Sequence, residues 1–313
     1  MSGATSNERQ QLKVFELLAE QLQEHLRSTV DEETVHKIVD ERIAQARLPR
    51  PIEIRQGETV VGRLDERPHA QFEQLLELVN EGHRNILMVG PAGCGKTTLA
   101  KSLAQALSLD FGFLSLSAGI SETHLFGRTL PQADGSWQYK PSRFVEVYVK
   151  GGVFLLDEFD AADANVMVAI NAALANGVLA NPNGQIHERH AKCYVLAAAN
   201  TWGRGGDHQY VGRNQLDAAT LDRFVLSTMH IEYDTDLERD LVAAANLDGK
   251  GDELLEWVSG VRERITRSRL RRIASTRLVV NAAAAMKAGR DLSQVKARYF
   301  LDWSADEKAK VGE

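Results

Sequence analysis

The chain has 313 residues, 43% hydrophobic and 26% charged, with a formal net charge of −6. That length suggests roughly two domains with enough apolar material for a substantial core, and it excludes a chain that is disordered throughout. The mild acidity argues against attraction of the whole surface to nucleic acid or anionic lipid and leaves only local patches for such contacts. No apolar run approaches membrane-spanning length, and neither a signal sequence nor a lipidation motif is visible, so a cytoplasmic location is expected. Cys94 and Cys193 lie far apart with no C-x-x-C spacing, which argues against a metal site or a structural disulfide.

Residues 8–26 carry an apolar stripe at helical spacing, Val14, Phe15, Leu18, Leu22 and Leu26. A second helix is expected after Asp31, an N-cap, with Val35, Ile38, Val39 and Ile43 as its stripe and Pro49 and Pro51 as its end. This helical N-terminal extension, 1–50, is too small for independent stability and is expected to pack on the core or on a neighbouring subunit. An α/β domain is expected over 51–234. It opens with a hairpin pattern, Ile52 to Arg55 and Thr59 to Arg63, around Gln56-Gly57. A helix follows, with Phe72, Leu75, Leu76 and Val79 inward and Glu81-Gly82 at its end. His69 has two readings, a residue beside a bound base or a helix-start residue.

The stretch Gly90-Pro91-Ala92-Gly93-Cys94-Gly95-Lys96-Thr97-Thr98 matches G-x-x-x-x-G-K-[ST] between a strand pattern, Asn85 to Val89, and a helical one, Thr98 to Leu107. Its glycines let the backbone wrap a polyphosphate with N–H groups inward, and the helix start offers more N–H groups and its positive dipole end. Lys96 is placed to reach the β and γ phosphates of ATP, and the Thr97 hydroxyl to ligate Mg²⁺. Cys94 occupies a variable position of the motif.

Four further buried-strand runs follow with helices between them: Phe111 to Leu116, Gly152 to Leu156, Tyr194 to Ala198 and Leu226 to Ile231. Continuous apolar strands alternating with helices imply a five-stranded parallel sheet covered on both faces, with ligands at the carboxyl ends of its strands. After the second of these runs come Asp157 and Glu158. Acids at the tip of a buried strand need a cation or hydrogen bonds to offset their desolvation. Asp157 suits Mg²⁺ or its water shell, and Glu158 suits deprotonation of an attacking water. Asp160 and Asp163 read as caps for a helix from Ala164 to Asn176.

These residues resemble an AAA+ ATPase of the branch with an insert in its second helix, which includes the MoxR and dynein-related ATPases. The likeness is greatest to the cobaltochelatase ATPase subunit and to similar ATPases of phages and prophages. It rests on Leu155 to Ala162, Ala197 to Gly205 and Tyr210 to Phe224, covering about residues 50–235. The resemblance implies a P-loop core in which Asn200 is the sensor 1 residue aligning the lytic water with Glu158. It also implies that Arg223, in Leu221-Asp222-Arg223-Phe224, is an arginine finger for a neighbouring subunit's γ-phosphate, ahead of Arg213 and Arg204. Such a finger contributes about 10³ to 10⁵ in rate. Arg277 falls at the sensor 2 position, although Thr276 stands where this branch often has proline.

The insert, 125–141, reads as a hairpin in which Leu125 to Arg128 and Trp137 to Lys140 flank Asp134-Gly135, and a second hairpin turns at Pro182-Asn183-Gly184. The resemblance points such projections at a pore or partner; Trp137 and Tyr139 either contact a substrate there or pack the hairpin. From 235 to 313 helices take over as a small α-helical lid, with seven arginines from Arg262 to Arg277 and a tail, Phe300, Leu301 and Trp303, that is expected to dock. Solvent or nucleotide explains those arginines more simply than nucleic acid.

The leading reading is a Mg²⁺-dependent ATPase whose ring, a hexamer by resemblance, remodels a protein client or partner subunit, with no membrane role. A nucleotide-controlled assembly scaffold with slow turnover and a nucleic-acid-dependent motor remain as alternatives. Fold and site chemistry do not identify the client.

Overall fold

The computed structural model describes residues 52–56, 59–64, 67–117 and 119–313, all within the compact unit Arg50–Glu313. The two expected N-terminal helices and the turn at Gly57 lie outside the described residues. The first two strands, β1 (Ile52–Gln56) and β2 (Thr59–Leu64), pair antiparallel as a hairpin. Helix α1 (Phe72–Asn80) follows, burying Phe72, Leu75 and Val79.

Five strands form the parallel sheet: β3 (Asn85–Val89), β4 (Phe111–Ser115), β7 (Gly152–Asp157), β10 (Cys193–Ala199) and β11 (Thr228–His230), in the order β11-β3-β10-β7-β4. The reason their sequences are apolar without interruption is visible in the packing. Leu87, Val89, Phe154, Leu156, Val195 and Ala197 join one core cluster, while Ile86, Met88, Val153, Leu155, Leu196 and Ala198 join another. Alternate residues thus serve opposite faces, and both faces are covered. Helix α2 (Lys96–Ala106) contributes Leu99 and Leu103 to the second cluster; α4 (Arg143–Lys150) and α5 (Ala164–Asn176) contribute Phe144, Tyr148 and Ile170 to the first.

Two expectations need correction. The last strand is only Thr228–His230; Leu226 takes a left-handed φ of 60°, outside the extended region of a regular strand, and is 84% exposed. In the insert, Leu125 and Phe126 belong to a short helix, α3 (Glu122–Phe126), and the hairpin is β5 (Arg128–Pro131) with β6 (Trp137–Lys140). There Tyr139 packs, its hydroxyl donating to the Phe126 carbonyl, whereas Trp137 stands 70% exposed. The second hairpin, β8 (Val178–Ala180) with β9 (Ile186–Glu188), forms as expected.

After α6 (Ala218–Asp222) and β11 the chain is helical: α7 (Thr235–Ala245), α8 (Gly251–Arg267), α9 (Thr276–Lys287), α10 (Leu292–Tyr299) and α11 (Ala305–Lys310). These helices have their own core, in which Trp257, Val261, Val279, Phe300 and Trp303 are buried. In the tail Phe300 and Trp303 dock, but Leu301 is 83% exposed. Four of the seven arginines there serve internal contacts: Arg262 with Glu238, Arg264 with the Val311 carbonyl, Arg267 with Glu263, and Arg272 with Asp302 and Glu307.

Candidate nucleotide site

The carboxyl ends of β3, β7 and β10 open into one cavity of about 790 Å³, within the roughly 300–1,000 Å³ of small-molecule sites. Loop residues Ala92 to Thr98 line it, together with Asp157, Glu158 and Asn200 from the strand ends and Thr276 and Arg277 from the start of α9. Gly90 and Pro91 do not line it. Gly90 passes so close to the end of β11 that an added Cβ would lie 2.2 Å from the Ile231 carbonyl oxygen, so packing alone already requires glycine there.

Lys96 is 8% exposed, and its Nζ donates to the carbonyls of Gly90 (2.6 Å) and Pro91 (3.0 Å) and to Asn200 Oδ1 (3.0 Å). Burial lowers its pKa, opposed by the nearby Cys94, Asp157 and Asp160. An ammonium surrounded by neutral acceptors in a desolvated pocket is suited to an anion. The Thr97 hydroxyl lies 3.4 Å from Asp157 Oδ2, the expected pair of metal ligands side by side. Glu158 follows in a left-handed conformation (φ 54°, ψ 40°), its N–H donating to Asp157 Oδ1. Such a backbone at a non-glycine residue costs on the order of 1–3 kcal/mol, and here it sends successive carboxylates in different directions.

The expected capping role holds for Asp163, whose side chain accepts from the Asn165 N–H, but not for Asp160. Asp160 sits in a 3-10 turn, Phe159–Ala161, with no exposure, and its Oδ2 accepts from Asn200 N (3.1 Å), Thr201 N (2.9 Å) and Thr201 Oγ1 (2.9 Å). It braces the turn after β10 and so positions Asn200.

His69 stands at the helix start and at the cavity. It precedes α1, accepting from Gln71 N–H at Nδ1 and lying 3.1 Å from the Glu232 carbonyl at Nε2, and it also lines the cavity. Leu241, Ile273 and Val280 add an apolar wall, each more than a third exposed toward that space.

The remaining arginines separate. Arg213 lines the cavity and pairs with Glu158 (3.6 Å) and Asp160 (3.5 Å). Arg204 is exposed and bridges to Gln215 outside it. Arg223, half-buried, also lies outside its own chain's cavity, with Nε on the Asn171 carbonyl (3.3 Å) and Nη1 on the Ala219 carbonyl.

Two tyrosines that carried no sequence-derived role hold the phosphate loop. Tyr210 Oη accepts the Ala92 N–H (2.9 Å), and Tyr233 Oη donates to the Ala92 carbonyl (3.0 Å). The Arg262 guanidinium lies 3.9 Å above the Tyr233 ring, and burial raises both phenol pKa values. Tyr233 stands just past β11, at the edge of the sheet where ligands collect, a position that could have marked it in the sequence.

In the strand order β3 and its phosphate loop lie between β11 and β10, and a helical segment follows the sheet. Residues 85–224 match the AAA domain of the dynein-related subfamily. The matched residues include every catalytic candidate from Lys96 to Arg223. Among curated relatives, the denitrification regulatory protein NirQ of Stutzerimonas stutzeri is 24% identical over 71% of this chain and 79% of its own length. An uncharacterised Staphylococcus aureus (strain USA300) protein is 25% identical over 56% of this chain and 66% of its own length. For several other staphylococcal relatives the matched part spans 62% of their length. NtrX from Brucella abortus, solved in complex with ATP, aligns at 13% identity and a TM-score of 0.48, covering 82% of this chain and 58% of that one. Among the described residues no helix is long and apolar enough to cross a membrane.

Proposed function

We propose that the protein is a Mg²⁺-dependent ATPase that works as a ring, a hexamer by family likeness, and remodels a partner protein in the cytoplasm. The observation that carries this reading is the convergence of Lys96, Thr97, Asp157, Glu158 and Asn200 on one cavity while Arg223 stays outside it. In this reading Ala92 to Thr98 hold the polyphosphate by backbone N–H groups, Lys96 neutralises its terminal charge, and Arg277 closes over it from the lid. His69, Leu241, Ile273 and Val280 receive the base. Thr97 and Asp157 would hold Mg²⁺, which when bound neutralises phosphate charge; one or two protein ligands are what that ion ordinarily takes beside phosphates.

Glu158 accepts a proton from water as the oxygen attacks the γ-phosphorus, and Asn200 orients that water. The bond to the β-phosphate oxygen breaks, giving ADP and phosphate. Arg223, held on α5 and α6, would serve the cavity of an adjoining copy. The exposed Trp137 on the insert hairpin supports client contact there. The internal pairing of Arg262, Arg264, Arg267 and Arg272 ranks a nucleic-acid motor lower. Whether the client is a chelatase partner, as the cobaltochelatase likeness suggests, or another complex is a separate question from the chemistry.

The test is Glu158→Gln with turnover followed against protein concentration. The variant is expected to keep ATP and lose nearly all hydrolysis, and wild-type activity per chain to rise as rings form. Undiminished turnover in the variant refutes the reading, and slow turnover that is flat in concentration favours the scaffold.

A further inference from the structure

Arg213 has no part in the reaction just described, on which the following inference rests. It reaches the cavity from the loop between β10 and α6. Its side chain is 15% exposed, with Nη2 3.6 Å from Glu158 Oε1 and Nη1 3.5 Å from Asp160 Oδ1. Both are ion-pair distances, longer than a hydrogen bond, and among the described residues the guanidinium donates none. The fully buried Asp160 keeps its Oδ1 free of any hydrogen bond, since the three donors it receives all go to Oδ2. Arg213 is also close enough to Lys96 for its charge to oppose protonation of the ammonium. Lys96 and Arg213 therefore stand near one another and near the Asp157 and Glu158 carboxylates, in a cavity that Arg67 and Arg277 also line, and the Arg213 guanidinium has its five N–H donors unspent.

We propose that Arg213 is a same-chain contact of the terminal phosphate, anchored from behind by Asp160, and that it sets the preference of the site for a nucleoside triphosphate over a diphosphate. A planar fork suits phosphate oxygens and is held in place by a buried carboxylate. Because the fork also touches Glu158, the group that recognises the terminal phosphate orients the carboxylate that acts beside it. The competing account is that Arg213 only neutralises Asp160, and that account predicts no discrimination between nucleotides.

The experiment measures the Kd of ATP and of ADP, both with Mg²⁺, for the full chain carrying Glu158→Gln, alone and combined with Arg213→Gln or Arg213→Lys. Arg213→Gln is expected to weaken ATP by at least about tenfold while ADP changes by less than about twofold. Arg213→Lys keeps the charge facing Asp160 but loses the fork, and is expected to recover part of the ATP preference. An unchanged ATP-to-ADP ratio in both variants, or equal loss of both nucleotides, overturns the proposal. If the Glu158→Gln parent binds neither nucleotide, the nucleotide-site reading fails first and takes this proposal with it. If Arg213→Gln does not fold, the lysine variant decides, because a wild-type ratio there refutes any need for the fork.

Discussion

Asp160→Asn separates charge from shape at the brace behind Asn200. The amide has the outline of the carboxylate, so no cavity opens, and its oxygen still meets the Asn200 N–H, the Thr201 N–H and the Thr201 hydroxyl. Hydrogen bonds to a charged group contribute about 1.5–3 kcal/mol and neutral ones about 1 kcal/mol, so neutralising the shared acceptor of three costs roughly 1.5–6 kcal/mol before any relief. The amide is cheaper to bury than a carboxylate, which returns part of that. Against this relief, the new NH₂ faces Arg213 as donor against donor. We expect a net loss of about 2–3 kcal/mol, which for a unit of this size lowers Tm by roughly 5–10 °C. Chemical denaturation checks the free energy and calorimetry the midpoint. Turnover should fall as well, since the backbone that carries Asn200 is held less firmly. A loss under about 0.5 kcal/mol, the range of ordinary surface substitutions, together with unchanged turnover would refute the claim that Asp160 is a brace.

Two aromatic substitutions should behave oppositely. Phe224 is fully buried and meets Phe159 edge-on at 5.5 Å, so Phe224→Ala should cost about 3–5 kcal/mol in denaturant unfolding. Trp137→Ala on the exposed hairpin should stay within about 0.5 kcal/mol, and a larger loss would show that the hairpin packs through it. The lid should also respond to acid. Hydrogen bonds from Arg272, then from the Ser304 backbone, hold the Glu307 carboxyl down from 4.5 to about 2. A folded-state pKa below the unfolded one gives stabilisation that is complete above about 4.5 and lost as pH falls toward about 2. Glu307→Gln should therefore flatten the fall of Tm across that window, and parallel Tm profiles for variant and wild type would contradict the pairing.

What could be read from the sequence was what is local in the chain. The phosphate loop and the Asp157-Glu158 tip are contiguous, and the alternation of strand and helix runs gave the parallel sheet with both faces covered. Asp160 was misread because its partners are forty residues away: Asn200 comes beside it only when β10 aligns with β7, Ala197 opposite Leu156. Tyr210 and Tyr233 escaped for the same reason, since each reaches the loop across the fold, whereas Arg213 was legible only as a phosphate-facing alternative to Arg223. The tail was misread for a local reason. Phe300 and Trp303 bury together past the end of α10, while Leu301 between them faces away, because the chain turns there and helical spacing no longer sorts the residues.

The paired tyrosines on Ala92 have a consequence for how a ligand is met. A flexible glycine-rich loop would have to be frozen at the moment of capture, and that ordering would subtract from affinity. Here one peptide group is gripped at both its donor and its acceptor, so the cradle is shaped when the chain folds. Because the Tyr233 grip lies beneath Arg262, which is tied through Glu238 to Thr276, stiffness of the cradle and seating of the lid are set by the same few groups.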